Sequence, residues 1–124
     1  MNTFNNDSPL YLQLRRHIEA RIISKALREE EALPSLRVLA QDYNLNPITV
    51  GNALSALIEA GILLKKRGVG NFVAPGAREK LIAEKSKDFI TEQLEPLIKL
   101  ARQLELPKAT LISTIDTIYG GTNE

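Results

Sequence analysis

The 124-residue sequence has no cysteine, which excludes disulfide staples, thiolate metal sites and any reading that depends on an oxidising compartment. It has one histidine and no tryptophan. No imidazole pair, Walker-type phosphate loop or carboxylate cluster at metal spacing is present, so neither an enzyme nor a cofactor or metal site is expected. His17 itself reads as a helix-surface residue. Long apolar runs are also missing, none approaching the roughly 20 residues of a membrane span, and the polar residues 1 to 7 do not read as a secretory signal. Nor is there an excess of charge of one sign. Sixteen Lys and Arg against 15 Asp and Glu leave a net charge of +1, so attraction to a polyanion has to come from local patches. With 44% hydrophobic and 25% charged residues, the composition is that of a cytoplasmic globular protein with one small core.

What is present is an order of local signals. Ser8-Pro9 followed by Leu10, Tyr11, Leu14, Ile18, Ile22 and Ile23 predicts a helix over about residues 9 to 27, with Arg15, Arg16, His17, Glu19 and Arg21 mostly off its apolar face. Glu29, Glu30 and Glu31 read as a solvated connection. Leu33-Pro34 suits a short extended segment, since proline biases its predecessor away from helix. Ser35 then caps a short helix with Leu36, Leu39, Ala40 and Tyr43 on one side. Asn44 can take the left-handed conformation that ends it. Asn46 as cap and Pro47 as first helical residue begin another helix, in which Val50, Ala53, Leu54, Leu57 and Ile58 form the buried stripe and Gly61 the stop. Residues 62 to 66 and 71 to 73 read as strands, with Gly68 and Gly70 supplying the tight connection. Gly68-x-Gly70 lies between strands and opens no helix, which argues against a nucleotide-binding loop.

Pro75-Gly76 is the natural boundary. Beyond it Leu81, Ile82, Phe89, Ile90, Leu94, Leu97, Ile98, Ala101 and Leu104 predict a long helix that Pro96 must bend, break or restart. Pro107 followed by Leu111, Ile112, Ile115, Ile118 and Tyr119 predicts a second helix. Two apolar stripes in 48 residues exceed what one helical pair can bury, so a second copy of the chain is expected, with Phe89, Leu94, Leu97, Ile98, Leu111, Ile115 and Ile118 at its interface. The expected architecture is mainly α with a small β-hairpin. It comprises a winged helix-turn-helix over 8 to 76, a helical dimerisation region over 77 to 119, and flexible tails at 1 to 7 and 120 to 124.

Pro9-Leu10-Tyr11 with Gln13-Leu14, Leu33-Pro34-Ser35-x-Arg37, Asn46-Pro47-x-Thr49-Val50, Leu57-x-x-x-Gly61 and Gly68-x-Gly70-x-Phe72-Val73 together resemble the GntR family of bacterial transcription regulators. The Asn-Pro helix start and the short C-terminal region resemble its YtrA subfamily, which carries a helical dimerisation region in place of a large effector-binding domain and often regulates transporter operons. The resemblance implies a dimeric repressor with two recognition helices in adjacent major grooves of a palindromic operator. Its partners would be duplex DNA and a second copy, with no membrane and no assigned effector. The sequence departs from the family pattern in three places: Leu36 replaces a frequent Glu, Glu30 a usual glycine, and Gly51-Asn52 stands where an arginine often sits.

Roles follow from reach. Arg37 can fork onto a guanine edge, grip a phosphate, or be a plain surface arginine. Ser35 and Pro47 flank the two helix starts. Asn46, Thr49 and Asn52 lie toward the exposed N-terminal end of the recognition helix, where amides pair with adenine and a Thr methyl meets thymine, although Asn46 serves equally as a cap and Thr49 as helix surface. Residues 43 to 58 contain no Lys or Arg. Phosphate attraction therefore falls to Arg37, Lys65, Lys66 and Arg67, aided by the backbone N–H groups of Gly68 and Gly70 and by flanking Arg15 or Arg16. A winged helix used to bind protein is the alternative, and salt-sensitive binding to a short duplex separates the two.

Overall fold

A computed structural model describes Phe4 and residues 9 to 120. Ser8 and most of both expected tails lie outside the described residues. The chain divides into two compact units, Met1–Glu84 and Lys85–Glu124.

In the first unit α1 (Leu10–Ile23) precedes α2 (Leu36–Tyr43) and α3 (Pro47–Glu59), and β1 (Leu63–Lys66) pairs antiparallel with β2 (Gly70–Val73). The helix starts are local chemistry. Ser35 Oγ accepts from Val38 N at 3.2 Å, Asn46 Oδ1 accepts from Ile48 N at 2.8 Å, and Pro47 occupies the first turn of α3, where its missing N–H costs nothing. Asn44 stops α2 at φ 55°, ψ 49°, as expected of a short amide side chain tolerating the left-handed region. The core gathers Leu14, Ile18 and Ile22 of α1, Leu39 of α2, Val50, Ala53, Leu54 and Leu57 of α3, and Ile62, Leu63 and Val73 of the hairpin.

Several features differ from the sequence reading. Pro9 precedes α1 instead of opening it, and α1 ends at Ile23 because Lys25 turns left-handed and the Leu27 N–H returns to the Arg21 carbonyl, burying Leu27. Leu10 and Tyr11, in the first turn, stay exposed. Glu19 is buried, at 4% exposure, with its carboxylate 3.2 Å from Arg15 Nε. Residues 30 to 33 are more than a solvated connector: the Glu30 and Leu33 N–H groups donate to Val73 and Asn71 carbonyls at 2.7 and 2.9 Å, and Val73 N donates to Glu31 O at 3.0 Å. This short segment covers the open edge of β2, whose backbone groups would otherwise lack partners. Glu30 holds φ 67° there, a left-handed conformation that glycine adopts at less cost.

Phe4 is the one described residue of the expected N-terminal tail. It is 9% exposed, with its ring 5.9 Å from that of His17 and 5.7 Å from that of Tyr43. His17 and Tyr43 share a 2.9 Å hydrogen bond, so His17 ties α1 to α2 instead of lying idle on a helix surface. Burial, and then the nearby Arg21 charge, hold the His17 pKa below its ordinary 6.5. The unfolded chain therefore takes up the proton first. Stability is fully present above pH about 6.5 and declines as pH falls from there toward the lowered folded value. Melting temperatures across pH 5 to 8 should show this slope, and His17→Gln should remove that share of it.

Gly51 lies in the interior of α3 without a glycine-only backbone, and a Cβ added there would meet Leu36 Cδ1 at 3.6 Å, an ordinary contact. Gly51→Ala should therefore stabilise the chain by about 0.5–1 kcal/mol through helix propensity. A denaturant midpoint that stays put or falls would contradict this.

The helix α4 (Ala77–Phe89) begins past the expected boundary at residue 76, yet its first turns belong to the first unit. Ala77 and Leu81 sit in the core, Arg78 Nε donates to the Ile23 carbonyl at 2.8 Å, and Lys80 Nζ donates to the Ala60 carbonyl. These ties carry the unit to Glu84.

The second unit holds the end of α4, a π-helical turn at Ile90–Leu94, α5 (Glu95–Gln103) and α6 (Lys108–Ile118). The Glu95 N–H bonds to the Ile90 carbonyl, one residue further back than in an α-helix. That wider turn shifts the carbonyl against which the Pro96 ring would clash, and so reconciles proline with a continuing helix. Among the described residues of this unit only Ala101 is buried. Leu94 and Leu111 are half-buried, while Phe89, Leu97, Ile98, Ile115 and Ile118 are exposed, the last at 76%. Ile90, Leu100, Leu104 and Ile112 extend the same apolar exposure.

Candidate nucleic-acid interface

Two helices joined by a short turn leave one end of α3 open. The Leu45 N–H donates to the Ala40 carbonyl at 2.9 Å, closing the turn after Asn44. Arg37, Gln41, Asn44 and Pro47 line one shallow groove together with Leu36 and Leu45. Arg37 and Pro47 at the start of α3, ten residues apart in sequence, thus meet at one surface. Arg37 is exposed and has no side-chain partner among the described residues, so its planar fork of donors is available to an external acceptor.

The capping residues are partly committed. Ser35 Oγ accepts from the helix but keeps its O–H to donate outward, and Asn46 spends Oδ1 on its cap while its NH₂ has no partner among the described residues. Along α3 the outward positions fall at Ile48, Asn52 and Ser55, one helical turn after another, all exposed. Thr49 is half-buried, a third of a turn off that line. Of the residues chosen from sequence, Asn52 stands on the outward face and Thr49 beside it. Ile48 and Ser55 were missed. Helical spacing from Asn52 points to both, but an isoleucine is ordinarily assigned to a core.

The hairpin places its cations by register. Lys65 lies opposite Asn71 and Lys66 opposite Gly70, so strand alternation sends the two lysines to opposite faces. Lys66 Nζ lies 5.6 Å from the Phe72 ring centroid, a cation–π contact that steadies its stem. Arg67 follows at the tip, where Gly68 and Gly70 hold φ 80° and 105° with nothing near an added Cβ. The tip is therefore a bare, narrow ridge with a lysine on either flank. Arg15 is engaged by Glu19, leaving exposed Arg16 as the freer cation of that pair.

Among the described residues no group of His, Asp and Glu could hold a metal ion, and no helix is long and apolar enough to cross a membrane. The arrangement offers neutral amide, hydroxyl and apolar groups on a protruding helix, and positive charge on the wing beside it.

Comparison with known proteins agrees with this geometry. The family of bacterial regulatory proteins described as the gntR family matches residues 10–73. The HTH-type transcriptional regulator YhcF of Bacillus subtilis is 34% identical over 97% of this chain and 98% of its own length. The HTH-type transcriptional repressor YtrA of Bacillus subtilis is 31% identical over 75% of this chain and 71% of its own. Among solved structures, a transcriptional regulator from Oenococcus oeni superposes with a TM-score of 0.77 at 22% identity, covering 95% of this chain and 97% of that one. The N-terminal domain of AraR, in complex with a mutant of its operator ORR3, gives 0.53 at 26% identity over 56% of this chain and 100% of that one. These similar proteins are transcription regulators, not enzymes.

Proposed function

Because the chain belongs to the GntR family of bacterial regulatory proteins, we propose that it is a homodimeric transcriptional repressor that sets two α3 helices into neighbouring major grooves of a palindromic operator. The observation that carries this reading is the shared surface of Arg37 and the start of α3, open to an external partner, with a cationic wing following in the same unit. Arg37 serves as a base or phosphate contact. Asn46, Thr49 and Asn52 serve the bases, while Ser35, Lys65, Lys66, Arg67 and the N–H groups of Gly68 and Gly70 serve the backbone. Lysines on both flanks of a narrow ridge suit a groove walled by two phosphate strands.

Homodimerisation is supported by the uncovered apolar residues of α5 and α6, which a second copy would bury. The YtrA subfamily is supported by the short helical second unit and by the identity with YtrA. With that assignment comes a role at a transporter operon, carried out in the cytoplasm.

The test is binding of the full chain to the DNA upstream of its own gene, across a salt series and with a footprint. The expected result is two protected half-sites about 10 bp apart, centre to centre, or a multiple of that spacing. Affinity should fall steeply with salt, as ion release requires. Binding that is absent, or indifferent to salt, would overturn the proposal in favour of a protein-binding winged helix.

A further inference from the structure

The DNA-reading face of α3 is unusual in one respect: it carries a largely exposed apolar side chain at its start. Ile48 is 72% exposed, at the second position of the helix. Single exposed aliphatic residues are common on surfaces and mean little alone. Here the position gives meaning, because in helix-turn-helix proteins the N-terminal residues of the second helix face base edges. The side chain is also held there. Pro47 before it has a fixed φ, the Ile48 N–H is locked to Asn46 Oδ1 at 2.8 Å, and a β-branched residue in a helix has essentially one χ1.

An isoleucine can gain from only one feature of the major groove. Adenine, guanine and cytosine present donors and acceptors there, which an aliphatic group would strip of water without replacing their hydrogen bonds. Thymine presents a C5-methyl. One helical turn along, exposed Asn52 carries an amide whose two ends match adenine N6 and N7. A turn advances about 5.4 Å, so the two residues face base pairs within about two steps of each other. No lysine or arginine of α3 competes with them for a guanine.

We infer that Ile48 is a specificity-determining residue that reads a thymine C5-methyl in each half-site, with Asn52 reading an adenine within two base pairs. The inference rests on the DNA-binding reading above and adds the base identity to it.

The test uses the full chain and duplexes that it selects from a randomised library. Each thymine of a selected half-site is replaced in turn by deoxyuridine, which removes the methyl and leaves pairing intact. At one position per half-site, uracil should weaken binding about fourfold, the factor for about 0.8 kcal/mol per buried methyl-sized group. Replacing both symmetry-related thymines should weaken it about fifteenfold. Ile48→Ala should bind thymine and uracil duplexes equally at that position and melt no lower than wild type, because the exposed side chain packs against little and alanine has the higher helix propensity. Asn52→Ala should keep the uracil penalty. Binding that ignores uracil everywhere, or an undiminished penalty in Ile48→Ala, would overturn the inference and leave the DNA-binding reading standing. Failure to select any duplex at low salt would overturn that reading and the inference with it.

Discussion

If the chain is the proposed homodimer, replacing Leu97 and Ile115 together by glutamate is expected to turn it into a monomer and to weaken operator binding by about 10²- to 10⁴-fold. Both side chains are exposed in the single chain, Leu97 at 60% and Ile115 at 53%, so the substitutions cost the protomer little on their own. At the interface of two copies they would place four carboxylates among Phe89, Ile98 and Ile118. An unpaired charge buried in that way costs several kcal/mol. The DNA effect is larger than any single contact because a dimer engages its second half-site intramolecularly. Once the subunits separate, each winged helix must bind by itself. Sedimentation at micromolar concentration checks the first part, and titration with a two-half-site duplex checks the second. An intact chain that sediments as a monomer, or a double variant that remains dimeric, would remove the assignment of the second unit as the interface. Melting of the first unit should be unaffected, because its core from Leu14 through Leu81 contains neither residue.

The second large effect concerns electrostatics. Changing Lys65, Lys66 and Arg67 together to Ala should flatten the dependence of log affinity on log salt by about 2.7 per protomer and about 5 per dimer if each cation neutralises one phosphate, at about 0.9 per contact. A shift of that size is expected because α3 carries no basic residue and Arg37 is the remaining cation of its groove. The wing and Arg37 together are expected to neutralise about 3 to 4 phosphates per protomer. Preference for the operator over random duplexes should survive, since the α3 residues are untouched. The hairpin itself should persist: Leu63 and Val73, which pair across its base, stay buried, and only the Lys66 contact with Phe72 is lost. That contact is worth about 0.5–1 kcal/mol at an exposed site. An unchanged salt slope would mean that the wing does not touch the backbone.

The sequence by itself determined the elements whose cause is local. Ser35, Asn46 with Pro47, and Asn44 act through their own backbone neighbours, so the two helix starts and the turn between them follow from residue type and stand where they were expected. Gly68 and Gly70 likewise place the hairpin tip, and Pro107 the start of α6. The excess of apolar surface in the second unit was equally legible, being a matter of counting stripes against helices. Pro96 announced an interruption, but choosing among a bend, a break and a restart needed the π-helical turn.

Tertiary structure decided what depends on residues far apart in the chain. Nothing near residue 30 in sequence announces that this segment pairs with β2, because its partners Asn71 and Val73 lie some forty residues on. The same holds for Phe4 against His17 and Tyr43, and for the Arg78 and Lys80 bonds that draw the start of α4 into the first unit. At the candidate interface, helical period named the buried stripe of α3, and Val50, Ala53, Leu54 and Leu57 are buried as expected. What packing against the core decided was the exposure of the flanking positions, which left Ile48 outward and Thr49 half-buried. Caps and turns are short-range and can be read residue by residue, whereas burial is a property of the whole assembly of elements and exists only once they have packed.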